Sequence, residues 1–349
     1  MVSFQDKIKI HFDNKLPFVI YRKPNEKDIV GIFQSNDDLY FVDDFSEKGF
    51  VFSAFNSDKN IIIPENKSEK LIFKINFNDI ISDSNIHHDI NITSKIDFEN
   101  LVKNGILAIK DNQFQKIVLS RKEILELENF DIVATFSKLV CQYQSALRYC
   151  FYHPKVGLWF GATPEQLLQV ENNVFKTVAL AGTQKYNGSI DVIWQEKEIQ
   201  EQKFVSNFII KSLEKATQNL KISEPFSVRA GNLVHLKSEI SGTFNSAFNL
   251  THIIKALNPT PAVCGLPKEV SKKFIIENEN YERDFYTGFL GELNINNKSD
   301  LFVNLRCMQI IDKLAYIYVG CGITKDSIPE KEFIETVNKT STMKAILDI

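Results

Sequence analysis

The sequence predicts an α+β fold built largely on antiparallel sheet with helices flanking the strands. Short runs rich in β-branched and aromatic residues recur between Asn, Asp, Pro and Gly punctuation. Several helical stretches interrupt them, and strands and helices do not alternate in the βαβ rhythm that a parallel, doubly wound sheet requires.

Within the first ~95 residues, KIKIHF, FVIYRK, IVGIFQ, LYFVDDF, GFVFSAF, NIIIP and LIFKINF each read as a strand. A polar stretch from Ser82 to Ser94 leads into a helix over roughly Phe98 to Lys110, with Leu101, Gly105 and Ala108 on one side. This is a soft boundary, dividing a strand-rich region, 1–95, from the remainder, 96–349, within one integrated domain. The strand FQKIVLSRKEIL follows, then a helix from about Asp131 to Gln144 and two strand-like runs, ALRYCFYHP and VFKTVALAGT. A long helix is expected over Val192 to Leu220, then VRAGNLVHLKSEISG as strands, a helix near Asn249 to Leu257 and another after Pro267. GFLGELNI, LFVNLRCMQII and LAYIYVGCGI form a last strand group, closed by a terminal helix.

Composition narrows the function classes. At 349 residues and 44% hydrophobic content the chain can bury a substantial core. A net charge of -3 with no long Lys/Arg block argues against a nucleic-acid surface or a polybasic membrane patch. The five cysteines, Cys141, Cys150, Cys264, Cys307 and Cys321, form no C-x-x-C pair and fit reduced thiols in a cytoplasm. The N-terminus lacks the pattern of a signal peptide, and no apolar run is long enough to span a bilayer.

Chemistry concentrates near the C-terminus. In YVGCGITKDSIPEKEFIETVNK, helical spacing puts Glu332, Glu335 and Lys339 on one stripe, opposite Phe333, Ile334 and Val337. Gly320 and Gly322 read as a glycine-opened turn ending the preceding strand, where backbone N–H groups could meet an anion. The long helix carries a second pair at the same spacing, Glu198 and Glu201. Four converging carboxylates would need a cation between them, and an all-oxygen site suits Mg²⁺. Lys116 shares a strand face with Phe114, Val118 and Ser120, where apolar burial would lower its pKa and fit it as a base. Glu165 follows Pro164 beside an aromatic and aliphatic run, where desolvation would keep it protonated as an acid. His235 is a lone strand histidine.

Six runs in order, KIVLSR, GATPEQLL, TVALAGT, LNPTPAVCGLPKE, LFVNLRCMQ and GCGITKDSIPEKEFIETVNK, resemble the signature blocks of the chorismate-utilising enzymes, most closely the isochorismate synthases. The resemblance runs from about residue 95 to the C-terminus. It implies sheets around a deep cleft and Mg²⁺-dependent conversion of chorismate to isochorismate, feeding menaquinone or catecholate siderophore biosynthesis. By motif match, Glu201 and Glu335 would bind the metal directly, and Glu198 and Glu332 through water. Arg306 and Tyr286 would grip the enolpyruvyl carboxylate, helped by N–H groups near Gly320 and Gly322. Gly182, Thr183 and His235 would lie beside the ring, and Lys339 near the metal. Lys116 would be the base for water and Glu165 the acid for the departing hydroxyl.

The resemblance also separates branches. Aminating relatives typically lack a lysine at the position of Lys116, and aminodeoxychorismate synthases carry a lysine at that of Ala181. No glutamine amidotransferase subunit is therefore expected, and the implied state is a monomer. Ala262 stands where salicylate-forming relatives tend to carry a hydroxyl, which favours stopping at isochorismate. Gln202, Asn258 and Cys264 depart from the family pattern without removing a proposed catalytic group.

Overall fold

A computed structural model describes residues 3–56, 59–74, 91–230, 233–245 and 249–347. The chain opens with helix α1 (Phe4–Asp13), not the strand expected for KIKIHF. Ser3 caps it by accepting from the Asp6 N–H, and Phe4, Ile8 and His11 are buried at helical spacing while Ile10 is exposed. The Lys-Ile alternation imitated a strand, but only one of its isoleucines faces the core.

Six strands follow: β1 (Phe18–Arg22), β2 (Ile29–Gln34), β3 (Tyr40–Phe41), β4 (Gly49–Ser53), β5 (Asn60–Pro64) and β6 (Ser68–Phe73). LYFVDDF thus supplies only a two-residue strand. Most of the polar stretch from Ser82 lies outside the described residues, and α2 (Ile92–Lys110) begins earlier than expected, capped by the Asn91 side chain. Its first turns expose Ile92 and Ile96, so a buried periodic face starts only at Phe98.

Beyond lie β7 (Lys116–Glu126), α3 (Ile132–Gln142), β8 (Leu147–His153), β9 (Gly157–Thr163), β10 (Gln166–Glu171) and β11 (Val174–Lys185). The long helix is shorter at both ends than expected: α4 spans Glu196–Leu213. Its start is fixed by a capping box between Gln195 and Glu198. Past its end, β12 (Thr217–Ile222) pairs with β14, and this sheet partner overrides the helical reading. Strands β13 (Phe226–Ala230) and β14 (Leu233–Phe244) precede α5 (Leu250–Leu257), β15 (Gly265–Leu266) and α6 (Lys268–Asn278). LFVNLRCMQII divides into β17 (Lys298–Val303) and β18 (Cys307–Ile311), after β16 (Phe289–Ile295). The break falls where Arg306 takes a positive φ of 47°. β19 (Leu314–Ile323) and α7 (Pro329–Lys344) complete the chain.

The strands form two antiparallel sheets. One has nine strands in the order β15-β7-β19-β18-β9-β8-β1-β2-β6, and the other runs β12-β14-β11-β10-β17-β16-β4-β5-β3, with β13 beside β14. The N-terminal strands belong to both, because β1 pairs with β8 and β4 with β16. Between the sheets lies an aromatic core including Phe50, Phe52, Tyr149, Phe151 and Trp159. Helices α1 and α3 cover the far side of the nine-stranded sheet, and α4 and α5 that of the other. Helices α2 and α7 pack over β7 and β19 through Val102, Ile117, Leu119 and Phe333. Phe333 and Val337 are buried as expected, whereas Ile334 is exposed, with Thr336 and Thr340 completing the packed face. Among the described residues, no helix is long and apolar enough to cross a membrane.

Candidate active site

The site is assembled where β7 and β19 of one sheet meet β10, β11 and α4 of the other. Lys116 opens β7 and donates from Nζ to Glu201 Oε1 on α4 at 2.6 Å. This ion pair replaces the isolated amine in an apolar region expected from the strand pattern. The carboxylate now holds a cation of the protein's own.

Gly322 lies opposite Val118 in the β7–β19 ladder, and a Cβ there would stand 3.1 Å from Lys116 Cε. Gly320 lies opposite Ser120, and its Cβ would stand 3.0 Å from the Tyr286 hydroxyl. These glycines therefore sit inside a paired strand rather than a turn, and both clear room for side chains. The N–H groups opposite them turn away from β19: that of Ser120 donates to Glu279 and that of Val118 to the Cys264 carbonyl. Gly320 and Gly322 thus hold non-hydrogen-bonded positions, with their own N–H groups facing the open strand edge beyond the end of β18. Lys339 Nζ donates to the Gly320 carbonyl on that edge at 3.0 Å.

On α7, Lys339 also donates to Glu335 Oε1 at 2.6 Å. Arg306 donates to the Lys339 carbonyl at 3.3 Å, and burial pulls its guanidinium below its ordinary value. Tyr286 is buried and stacks on Tyr318, and desolvation pushes its hydroxyl well up. Glu332 is raised by burial first and by the neighbouring Glu335, against hydrogen bonds from Ser327 and Cys321.

Glu165 lies between β9 and β10, its backbone carbonyl accepting from the Val303 N–H. Desolvation raises its carboxyl to about 7, against the opposing pull of Lys116 and Lys339. Those two ammonium groups come from strand β7 and helix α7, so two separate elements act on this one acid. Ala262 lines the same small cavity as Glu165.

The β11 side is organised by Gly182, at φ 73° in a bulge between Ala181 and Thr183. A Cβ there would lie 3.3 Å from Glu198 Cβ, so its absence lets α4 settle on the strand. Its carbonyl accepts from His235 Nδ1 at 3.2 Å, and burial lowers that imidazole. Thr183 pairs with His235 through the backbone register. Glu198 accepts from Gln184 Nε2 at 2.8 Å and from the Gln195 N–H.

Sequence reasoning missed Gln184, Ser327 and the buried Arg283. Arg283 ties together Glu279, the Val118 carbonyl on β7 and the Val263 carbonyl beside Ala262. Only its position three residues before Tyr286 hinted at it. Two of the departures are absorbed by packing: buried Gln202 donates to Ser206 and Ser238, and Cys264 is wholly buried; Asn258 is buried as well, and nothing in the structure explains its presence.

Among the described residues, no three His, Cys, Asp or Glu side chains stand together as a formed metal site. The donor chemistry nevertheless fits a hard cation: Glu201 and Glu335, the expected direct ligands, each already accept from an ammonium group.

Residues 55–348 match the family described as chorismate binding enzyme. The chain belongs to that family. It is 27% identical over 268 residues to the salicylate biosynthesis isochorismate synthase of Pseudomonas aeruginosa, covering 74% of this chain and 56% of that one. It is 28% identical over 265 residues to isochorismate synthase MenF of Escherichia coli, covering 73% and 61% respectively. The match thus spans little more than half the length of these two relatives. The fold of a putative 2,3-dihydroxybenzoate-specific isochorismate synthase, DhbC, from Bacillus anthracis superposes with a TM-score of 0.78 at 23% identity. That comparison covers 97% of this chain and 99% of the other.

Proposed function

We propose that this chorismate-binding family member is an isochorismate synthase, adding water at ring carbon 2 of chorismate while the carbon 4 hydroxyl leaves. The observation that carries this reading is Glu165, raised by desolvation to about 7 and flanked by Lys116 and Lys339. A carboxyl poised there holds a proton for a departing hydroxide at neutral pH. Lys116, on β7, is the base that takes a proton from the attacking water, once it has left Glu201 and given up its own ammonium proton to solvent. Arg306, Tyr286 and the edge N–H groups of Gly320 and Gly322 form a cationic, donor-rich wall for the enolpyruvyl carboxylate. His235, Gly182 and Thr183 border the ring from β11 and β14, and Lys339 holds α7 against the Gly320 carbonyl. Mg²⁺ on Glu201 and Glu335, with Glu198 and Glu332 assisting, would supply the positive charge that grips the substrate's ring carboxylate.

The names of similar proteins mention salicylate biosynthesis, a 2,3-dihydroxybenzoate-specific enzyme and a menaquinone-specific one from Escherichia coli, and isochorismate would serve this chain's pathway as the shared product. The test is incubation with chorismate, with Mg²⁺ and then excess chelator, resolving products by chromatography. A Mg²⁺-dependent mixture of chorismate and isochorismate without pyruvate is expected. Salicylate with pyruvate would replace this reading with a salicylate synthase, and unchanged chorismate with a binding role.

A further inference from the structure

Beside Glu165 lies a cavity of about 10 Å³, lined by Glu165, Thr177, Thr260 and Ala262 and by apolar Val205 and Leu257. That is the room one water molecule needs. The Thr260 hydroxyl is buried and has no hydrogen-bond partner among the described residues. Its backbone is fixed, because the Thr260 carbonyl accepts from the N–H groups of Val263 and Cys264 at 3.1 and 3.0 Å. Across the cavity, the Thr177 hydroxyl donates to the Leu167 carbonyl at 2.7 Å and keeps its own lone pairs to offer. A buried hydroxyl with nothing to bond is costly, and a water needs two to four polar partners.

The cavity supplies that set. We propose that it holds one water, accepting from Thr260 and donating to Thr177 and to the Glu165 carboxyl, and that Thr260 is thereby a positioning residue for this acid. The inference rests on the assignment of Glu165 as the acid. Thr260 would touch neither substrate nor metal; it acts by fixing the direction in which the carboxyl presents its proton.

Thr260→Val keeps the shape and deletes the hydroxyl, while Thr260→Ser keeps the hydroxyl. The Val variant is expected to lose about tenfold to a hundredfold in kcat, the scale of misplacing a catalytic group, with KM for chorismate held within about twofold. The alkaline limb of its kcat–pH profile should move up, because a donor to the carboxylate form is lost. The Ser variant should keep both. A Val variant with unchanged kcat and limb, and raised Tm from removal of an unsatisfied hydroxyl, would overturn the proposal. Glu165→Gln separates the two failures. If it turns over normally, the acid assignment falls and the inference with it; if it is inactive while Thr260→Val is normal, only the inference falls. Should the Val variant not fold, a crystal structure of the unaltered protein decides, through an ordered water bridging Thr260 and Glu165 or an empty cavity.

Discussion

Helices α4 and α7 each present two glutamates three residues apart, and in each an ammonium group holds one of them at 2.6 Å. They differ in where the ammonium comes from. On α7, Lys339 lies one turn after Glu335, so the pair is written into the local sequence. On α4, Glu201 is held by Lys116, 85 residues earlier and on a strand of the opposite sheet. The α7 pair is a feature of one helix, whereas the α4 pair joins the two halves of the fold. The lesson is that identical local motifs can carry unequal structural information.

The sharpest way to break this comparison is to remove the groups that meet at Glu165. Lys116→Ala and Glu165→Gln should each lower kcat by about 10²- to 10⁴-fold in steady-state assays, the usual worth of a general base or acid. Far-UV circular dichroism should stay unchanged in both. A loss on removing Lys339 as large as that on removing Lys116 would erase the distinction.

The pH dependence comes next. As the proposed acid, Glu165 would have to carry its proton, so kcat should fall as pH rises through about 7 in a kcat–pH profile. Its folded pKa is raised above the ordinary 4.5. The stability it contributes is therefore fully present below that ordinary value and lost as pH rises through about 7. Glu165→Gln should remove this loss, raising Tm relative to the parent at pH 8 but not at pH 4 in a calorimetric pH series.

Smaller effects test how α4 is seated. Gly182→Ala places a side chain at positive φ against Glu198 and should cost upward of about 1 kcal/mol in urea unfolding. The smallest belongs to α7: Glu335→Gln breaks a pair whose Glu335 side chain is 48% exposed and leaves Lys339 on the Gly320 carbonyl. It should cost only about 0.3–0.5 kcal/mol of stability, weakening further as salt is added.

Much of the fold was legible because most elements carry their own punctuation. Asp131 and Asn249 cap α3 and α5 where the sequence placed helix starts, and β7, β8, β11 and β19 follow their apolar runs. The misreadings have physical causes. The Lys-Ile alternation in α1 is too short to distinguish period 2 from period 3.6. The end of the long helix was decided by a strand partner in β14, which no local window contains. Arg306 broke an apparently continuous strand through a left-handed backbone turn.

The sequence by itself determined the kinds of group available. It supplied two glutamate pairs at helical spacing, an acid following Pro164, a lysine within a strand run, and two glycines closing an apolar strand. It also determined the family, since the signature runs are contiguous stretches of chain. Tertiary structure alone decided that Lys116 lies on Glu201, that Gly320 and Gly322 face an open strand edge, and that Glu165 is desolvated beside two ammonium groups. The reason is range: spacing along one helix or strand is fixed by local geometry, whereas electrostatics and burial depend on groups brought together from distant segments.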